Sequence, residues 1–248
     1  TFNLTAAKGS AITLPSGEVV SKAFRGISTK QTELISSQVR IGITEGESIP
    51  KIAKRLRGRL QFGRNQEMTA KAQRLAAGDG MKLANTQVMT IVRTSVNQVQ
   101  NAVSQASYAS NGNVTQRYEY VATLDARTST ICGNLDGRTF KYNEGPLPPQ
   151  HFNCRSTTVP IIDDDDLRRK FPDTRPSATG RVPQNTNYAT WLKDNPSIQE
   201  KALGNKKRFF NYLIDKKRKS PREALRLIIK DDGTELSLKN LIEKYPKA

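Results

Sequence analysis

Two thiols and one imidazole set the most specific chemistry open to this chain. Both cysteines, Cys132 and Cys154, and the only histidine, His151, fall within residues 118–162, beside the densest run of turn residues. Such donors can hold Zn²⁺ and cross-link two loops of a domain with a thin core. A tetrahedral structural site needs a fourth ligand, and no spacing rule places Asp125 or Asp136 in that role. The opposing reading is a pair of buried thiols and a hydrogen-bonded histidine, so the expected cofactor is none, with zinc as the alternative. Asp125 and Arg127 are either a catalytic carboxylate with its partner or a buried ion pair tying a strand end to the Pro-Pro-x-His loop. With one histidine, no paired acid motif and no phosphate loop, the ion pair is favoured, and Arg155 joins the same polar cluster. The acidic residues 163–166 lack the glycine and spaced acceptors of a calcium loop and read as a solvated strip.

Periodicity supplies the elements that must position these groups. Residues 117–124 alternate, with Tyr118, Tyr120, Ala122 and Leu124 on one face, as in a half-buried strand. Asp136-Gly137 marks a tight turn, 138–142 a second strand and 155–161 a third, predicting a small antiparallel sheet. Upstream, Leu34, Ile35, Val39 and Ile43 predict a helix stopping at Gly46. Ser48 caps a second helix, with Ile49, Ile52, Ala53, Leu56 and Leu60 on one stripe and Lys51, Lys54, Arg55, Arg57 and Arg59 around it. After a break at 78–80, residues 81–108 read as a spine helix whose Val88, Ile91, Val92 and Val96 cover the sheet. The uncharged Asn, Gln, Ser and Thr on its other side suit contact with another protein.

The expected class is α+β: a helical N-terminal part with a long spine helix packed on a small antiparallel sheet, then an extended linker and a helical basic tail. Its boundaries are an extended arm over 1–30, a central domain over 31–165, a linker over 166–187 and the tail over 188–248. Within the tail, helices are expected at 188–192, at 198–215 around Gly204, at 220–230 behind the Ser220 cap, and at 237–245.

A formal charge of +17, a pI near 10.0, 35% hydrophobic residues and a mean hydropathy of -0.62 describe a modest core attracted to a polyanion. Nucleic acid, an anionic membrane surface and an acidic protein all meet that description. No apolar run approaches the roughly 20 residues needed to span a bilayer, and the start of the chain does not resemble a signal peptide. Two distant cysteines are no disulfide framework, which favours synthesis in a reducing compartment. The first residue, Thr1, reads as a processed or excised start. Lys206, Lys207, Arg208, Lys216, Lys217, Arg218, Lys219 and Arg222 form the most basic zone, suited to duplex DNA without base readout or to an acidic partner.

Asp125-Ala126-Arg127-Thr128, Leu135-Asp136-Gly137 and Pro148-Pro149 followed by His151, Asn153, Cys154 and Arg155 occur in an order and spacing that resembles the phage Mu F-like minor head protein family. The similarity reaches outwards to residues 42–56, 91–103 and 190–196. In two places the chain departs from the family pattern: Arg93-Thr94-Ser95 stands where many members have Arg-Thr-Glu, and Ser129 where many have a first cysteine. The second departure argues against a four-ligand metal knot. The resemblance implies a structural, non-enzymatic minor head protein of a tailed phage. It would be assembled in the host cytoplasm and located in the virion head, in contact with portal protein, other capsid proteins and packaged DNA, with a role in morphogenesis that extends to ejection. The rival readings are a nuclease- or transferase-like enzyme with His151, Asn153 and Asp125 at its site, and a non-specific DNA-binding module.

Overall fold

In the computed structural model, residues 29–62, 85–142, 144–162, 173–230 and 234–248 are described. Residues 1–28 of the arm expected over 1–30, the break at 78–80, the acidic run 163–166 and the turn at Gly233 lie outside them, while Thr29 and Lys30 open the first described helix instead of ending the arm. The chain divides into two compact units, Thr1–Ala102 with Pro148–Cys154, and Val103–Leu147 with Arg155–Ala248.

The first unit is built on α1 (Thr29–Thr44), α2 (Ile49–Phe62) and the part of α3 (Asn85–Ala109) that ends at Ala102. Gly46, with φ 65, turns the chain between α1 and α2, where a left-handed residue is needed. The core comprises Ile35, Val39, Ile52, Ala53, Leu56, Val88, Ile91, Val92 and Val96. The apolar side of α3 was expected to cover the sheet. It packs instead on α1 and α2, because those two helices carry apolar stripes that would otherwise face water. Arg55 fastens the α1–α2 corner, with Nη1 2.6 Å from Glu47 and Nη2 donating to the Gln38 carbonyl at 2.7 Å. Lys51 also pairs with Glu47, at 3.3 Å, so part of the cationic face of α2 is matched by its own chain.

The second unit holds β1 (Arg117–Val121), α4 (Thr130–Leu135), β2 (Arg138–Lys141) and β3 (Thr157–Ile161), then β4 (Thr174–Ser177) and β5 (Gly180–Pro183). Helices follow: α5 (Tyr188–Asp194), α6 (Pro196–Leu203), α7 (Lys207–Asp215), α8 (Pro221–Leu227) and α9 (Leu238–Lys244), with a 3₁₀ turn at Gly204–Lys206. The sheet is antiparallel, in the order β2-β1-β3, with Tyr118 opposite Phe140 and Pro160. Tyr118, Tyr120, Ala122 and Leu124 are all buried, as the alternation predicts. The end of α3 meets the sheet through polar groups: Gln105 donates to Thr158 Oγ1 at 2.9 Å and Tyr108 OH to the Thr158 carbonyl at 3.2 Å.

Leu124, Tyr188, Trp191, Leu192, Phe209, Phe210, Leu213, Leu225, Ile228 and Leu241 make the larger core of this unit. Thus α5 to α9 are packed by aromatic and aliphatic side chains, while Ser220 and Glu223 close a full capping box at α8. The segment read as a linker contributes the hairpin β4–β5, whose Arg175 is buried. A short helix, α4, occupies residues for which no element was expected.

Candidate functional site

Asp125 follows β1 and closes a turn by accepting from the Arg127 amide at 2.9 Å. The expected pair with Arg127 is present but long, and Arg155 is the closer partner. Arg155 grips both carboxylate oxygens, Nη1 on Oδ2 and Nη2 on Oδ1 at 2.7 Å, whereas the Arg127 guanidinium is 80% exposed and 3.7 Å away. A planar guanidinium fork matches a carboxylate bidentately, and Arg155 is placed to use it. Arg155 holds the Asp125 carboxyl below its usual range, aided by the Arg127 amide and opposed by partial burial. Thr128 Oγ1 donates back to the Thr123 carbonyl, and the Thr128 carbonyl receives Tyr188 OH at 3.3 Å.

Ser129 is the N-cap of α4, its Oγ accepting from the Cys132 amide at 3.2 Å. The position at which the resemblance to the family led to an expected cysteine is thus a helix cap here. Cys132 is buried, with Tyr120 OH 3.3 Å from its sulfur. Gly133 lies against the Tyr188 ring so closely that a Cβ would come within 2.3 Å of Cδ1. Thr130 Oγ1 donates to Glu235 at 2.6 Å.

Asp136 ends α4 and is fully buried. Its Oδ1 accepts from the Ala122 amide at 2.7 Å and its Oδ2 from the Tyr188 amide at 2.7 Å, while Arg175 reaches both oxygens at 3.0 Å. Its carbonyl accepts from Arg222 Nη2 at 2.9 Å, and Gly137, with φ 70, turns the chain into β2. Burial pushes the Asp136 carboxyl up, against the pull of Arg175 and the two amides. The buried Asp136 side chain therefore fastens two distant backbone amides and the Arg175 guanidinium, while its main-chain carbonyl holds Arg222. Arg175 was not among the residues singled out from sequence. No local pattern marks it, although Ser177 to Gly180 carries the turn chemistry of a hairpin.

In the first unit, Pro148 and Pro149 are buried and their peptide bond is cis. His151 Nδ1 lies 2.8 Å from the Phe152 carbonyl. A carbonyl only accepts, so Nδ1 carries the proton and the lone pair of the neutral ring is on Nε2. Cys154 is buried, and its sulfur lies within 4.8 Å of a ring nitrogen of His151. Between them Asn153, with φ 56, donates its amide to Thr94 Oγ1 and its Nδ2 to Thr90 Oγ1, each at 3.1 Å. Part of the uncharged side of α3, read as a surface for another protein, thus receives this chain's own loop. Thr94 belongs to the Arg93-Thr94-Ser95 run, and its hydroxyl also donates to the Thr90 carbonyl at 2.8 Å.

The basic zone is not uniform. Lys206 pairs with Glu235 and Lys207 with Glu200, Arg208 lies 4.6 Å over the Phe209 ring, and Arg222 is held on Asp136. Residues 216–219 form an exposed loop after α7.

These features define an α+β module whose characteristic polar residues bind its own backbone. The family model described as Phage Mu protein F like protein matches residues 33–159, about half of the sequence, and the chain belongs to that family, one of phage head morphogenesis. A Haemophilus influenzae protein described as an uncharacterized protein is 28% identical over 89 residues, covering 34% of this chain and 20% of the relative. No solved structure matches.

Proposed function

We propose that the chain is a structural minor head protein of a tailed phage or prophage. It acts by binding in head morphogenesis, located in the virion at the portal or inner capsid, in contact with capsid proteins and packaged DNA and with a part in ejection. The observation that carries this reading is the family match over residues 33–159. The use of the motif residues supports binding over turnover: Asp125 is gripped by Arg155, and Asn153 is held on Thr90 and Thr94. No helix among the described residues is long and apolar enough to cross a membrane.

Labelled antibody against the chain, imaged on purified particles, tests the reading. Label at the portal vertex or within opened heads is expected, and particles without the chain would overturn it. Divalent-dependent cleavage of DNA, lost with His151→Ala, would establish the enzymatic reading in its place.

A further inference from the structure

Resting on the head-protein reading, the structure assigns contact with DNA phosphates to one part of the basic zone: the loop Lys216, Lys217, Arg218 and Lys219. The two basic clusters look equivalent in sequence and differ in their surroundings. Lys206 and Lys207 are each paired with a carboxylate of their own unit, and Arg208 lies on a ring. In the second cluster Lys217 lies 5.9 Å over the Tyr212 ring, but no ion pair joins Lys216, Lys217 or Arg218 to a described carboxylate, and Lys219 lies 3.8 Å from Glu223 with both side chains about half exposed.

The loop is held in shape from below. Its amides cap the end of α7, with Lys216 and Lys217 donating to the Tyr212 carbonyl and Lys219 to Leu213 at 3.0 Å, and Arg218 takes the left-handed conformation, φ 54. Phe209, Phe210 and Leu213 bury the helix that carries it. A run of exposed residues from Asp215 to Ser220 therefore presents four cations on a fixed backbone.

The chemistry of the patch selects its partner. Interfaces with proteins carry an apolar centre, and the exposed large hydrophobics among the described residues are Ile41, Leu238 and Ile242, none of them in this loop. Binding to phosphate requires cations and no apolar anchor, and it carries no base preference.

The test is anisotropy of two unrelated duplexes with the full chain across a salt series. Wild type is expected to bind both equally. A variant with Lys216→Gln, Lys217→Gln, Arg218→Asn and Lys219→Gln should flatten the log-log salt dependence by about 0.9 for each phosphate no longer neutralised. Asn is used at 218 because it tolerates the left-handed backbone. Lys207→Gln with Arg208→Gln should leave the slope near wild type, and Lys216→Arg with Lys217→Arg should preserve it, which separates charge from fold. An unchanged slope in the loop variant, equal flattening by the 207–208 variant, or no duplex binding by wild type at low salt would each overturn the assignment. So would a loop variant that keeps its slope yet no longer enters heads, which would put an acidic capsid surface in place of DNA. Incorporation into particles is scored separately: absence of the wild-type chain removes the head-protein reading, whereas failure of the slope test in a chain that enters particles removes only the surface assigned here.

Discussion

Asp125 and Asp136 belong to one motif and are driven in opposite directions. Arg155 lowers the Asp125 carboxyl, so its stabilising effect is present in full above the ordinary aspartate value, about 3.9, and is lost as pH falls through the lower folded-state value. Burial raises Asp136, so its ionisation opposes folding as pH rises from the ordinary aspartate value through the raised folded-state one, and it is not the source of an acid loss. Asp125→Asn should therefore lower the melting temperature at pH 7 by a few degrees, the equivalent of on the order of 1 kcal/mol for a half-exposed pair. The deficit should shrink toward zero as pH falls below the lowered folded-state value. A deficit that persists unchanged in acid, measured by calorimetry, would mean that the Arg155 fork contributes nothing through charge.

At the scale of elements, the apolar side of α3 completes the core with α1 and α2. Val96→Asp places an unpaired charge there, at a cost of more than about 3 kcal/mol. Loss of amide-exchange protection throughout α1 and α2 is the expected result; wild-type protection in both helices would refute this packing. The periodicity of α3 was legible in the sequence, but its partner was not, because an apolar stripe specifies that it is covered and not by what. Period-two alternation gave β1 and its buried face, and the Ser220-Pro221 and Ser237 signals gave the starts of α8 and α9. The helix α4 escaped notice because it is only six residues long, too short for periodicity, although Ser129 is a good cap. The hairpin β4–β5 lay in a stretch whose Pro, Gly, Ser and Thr content reads as linker. Of the candidate site, the motif residues were legible as a polar cluster. Their pairings were not, since Arg127 and Arg155 are equally plausible partners for Asp125 until the chain is folded.

For the molecule as a whole, the head-protein role needs only shape and charge, and a resident metal would be an addition to it. The helix cap at Ser129 favours a chain without one, since a serine hydroxyl already accepting from the Cys132 amide is no soft donor for zinc. Elemental analysis of protein purified without chelator should find clearly less than one zinc per chain, and stoichiometric zinc lost with Cys154→Ala would reverse that view. The buried Asp136 bears on the life of the chain before any of this. Its partners Arg175, Tyr188 and Arg222 follow it by 39, 52 and 86 residues. At a ribosomal rate of about 5–20 residues per second, the last of them is added roughly 4–17 s after Asp136. During that interval Asp136 lacks at least one of these partners. The second unit is thus fastened from its C-terminal side, and a nascent chain stalled before Arg175 carries every residue of the family motif and none of the side-chain cation that neutralises its centre.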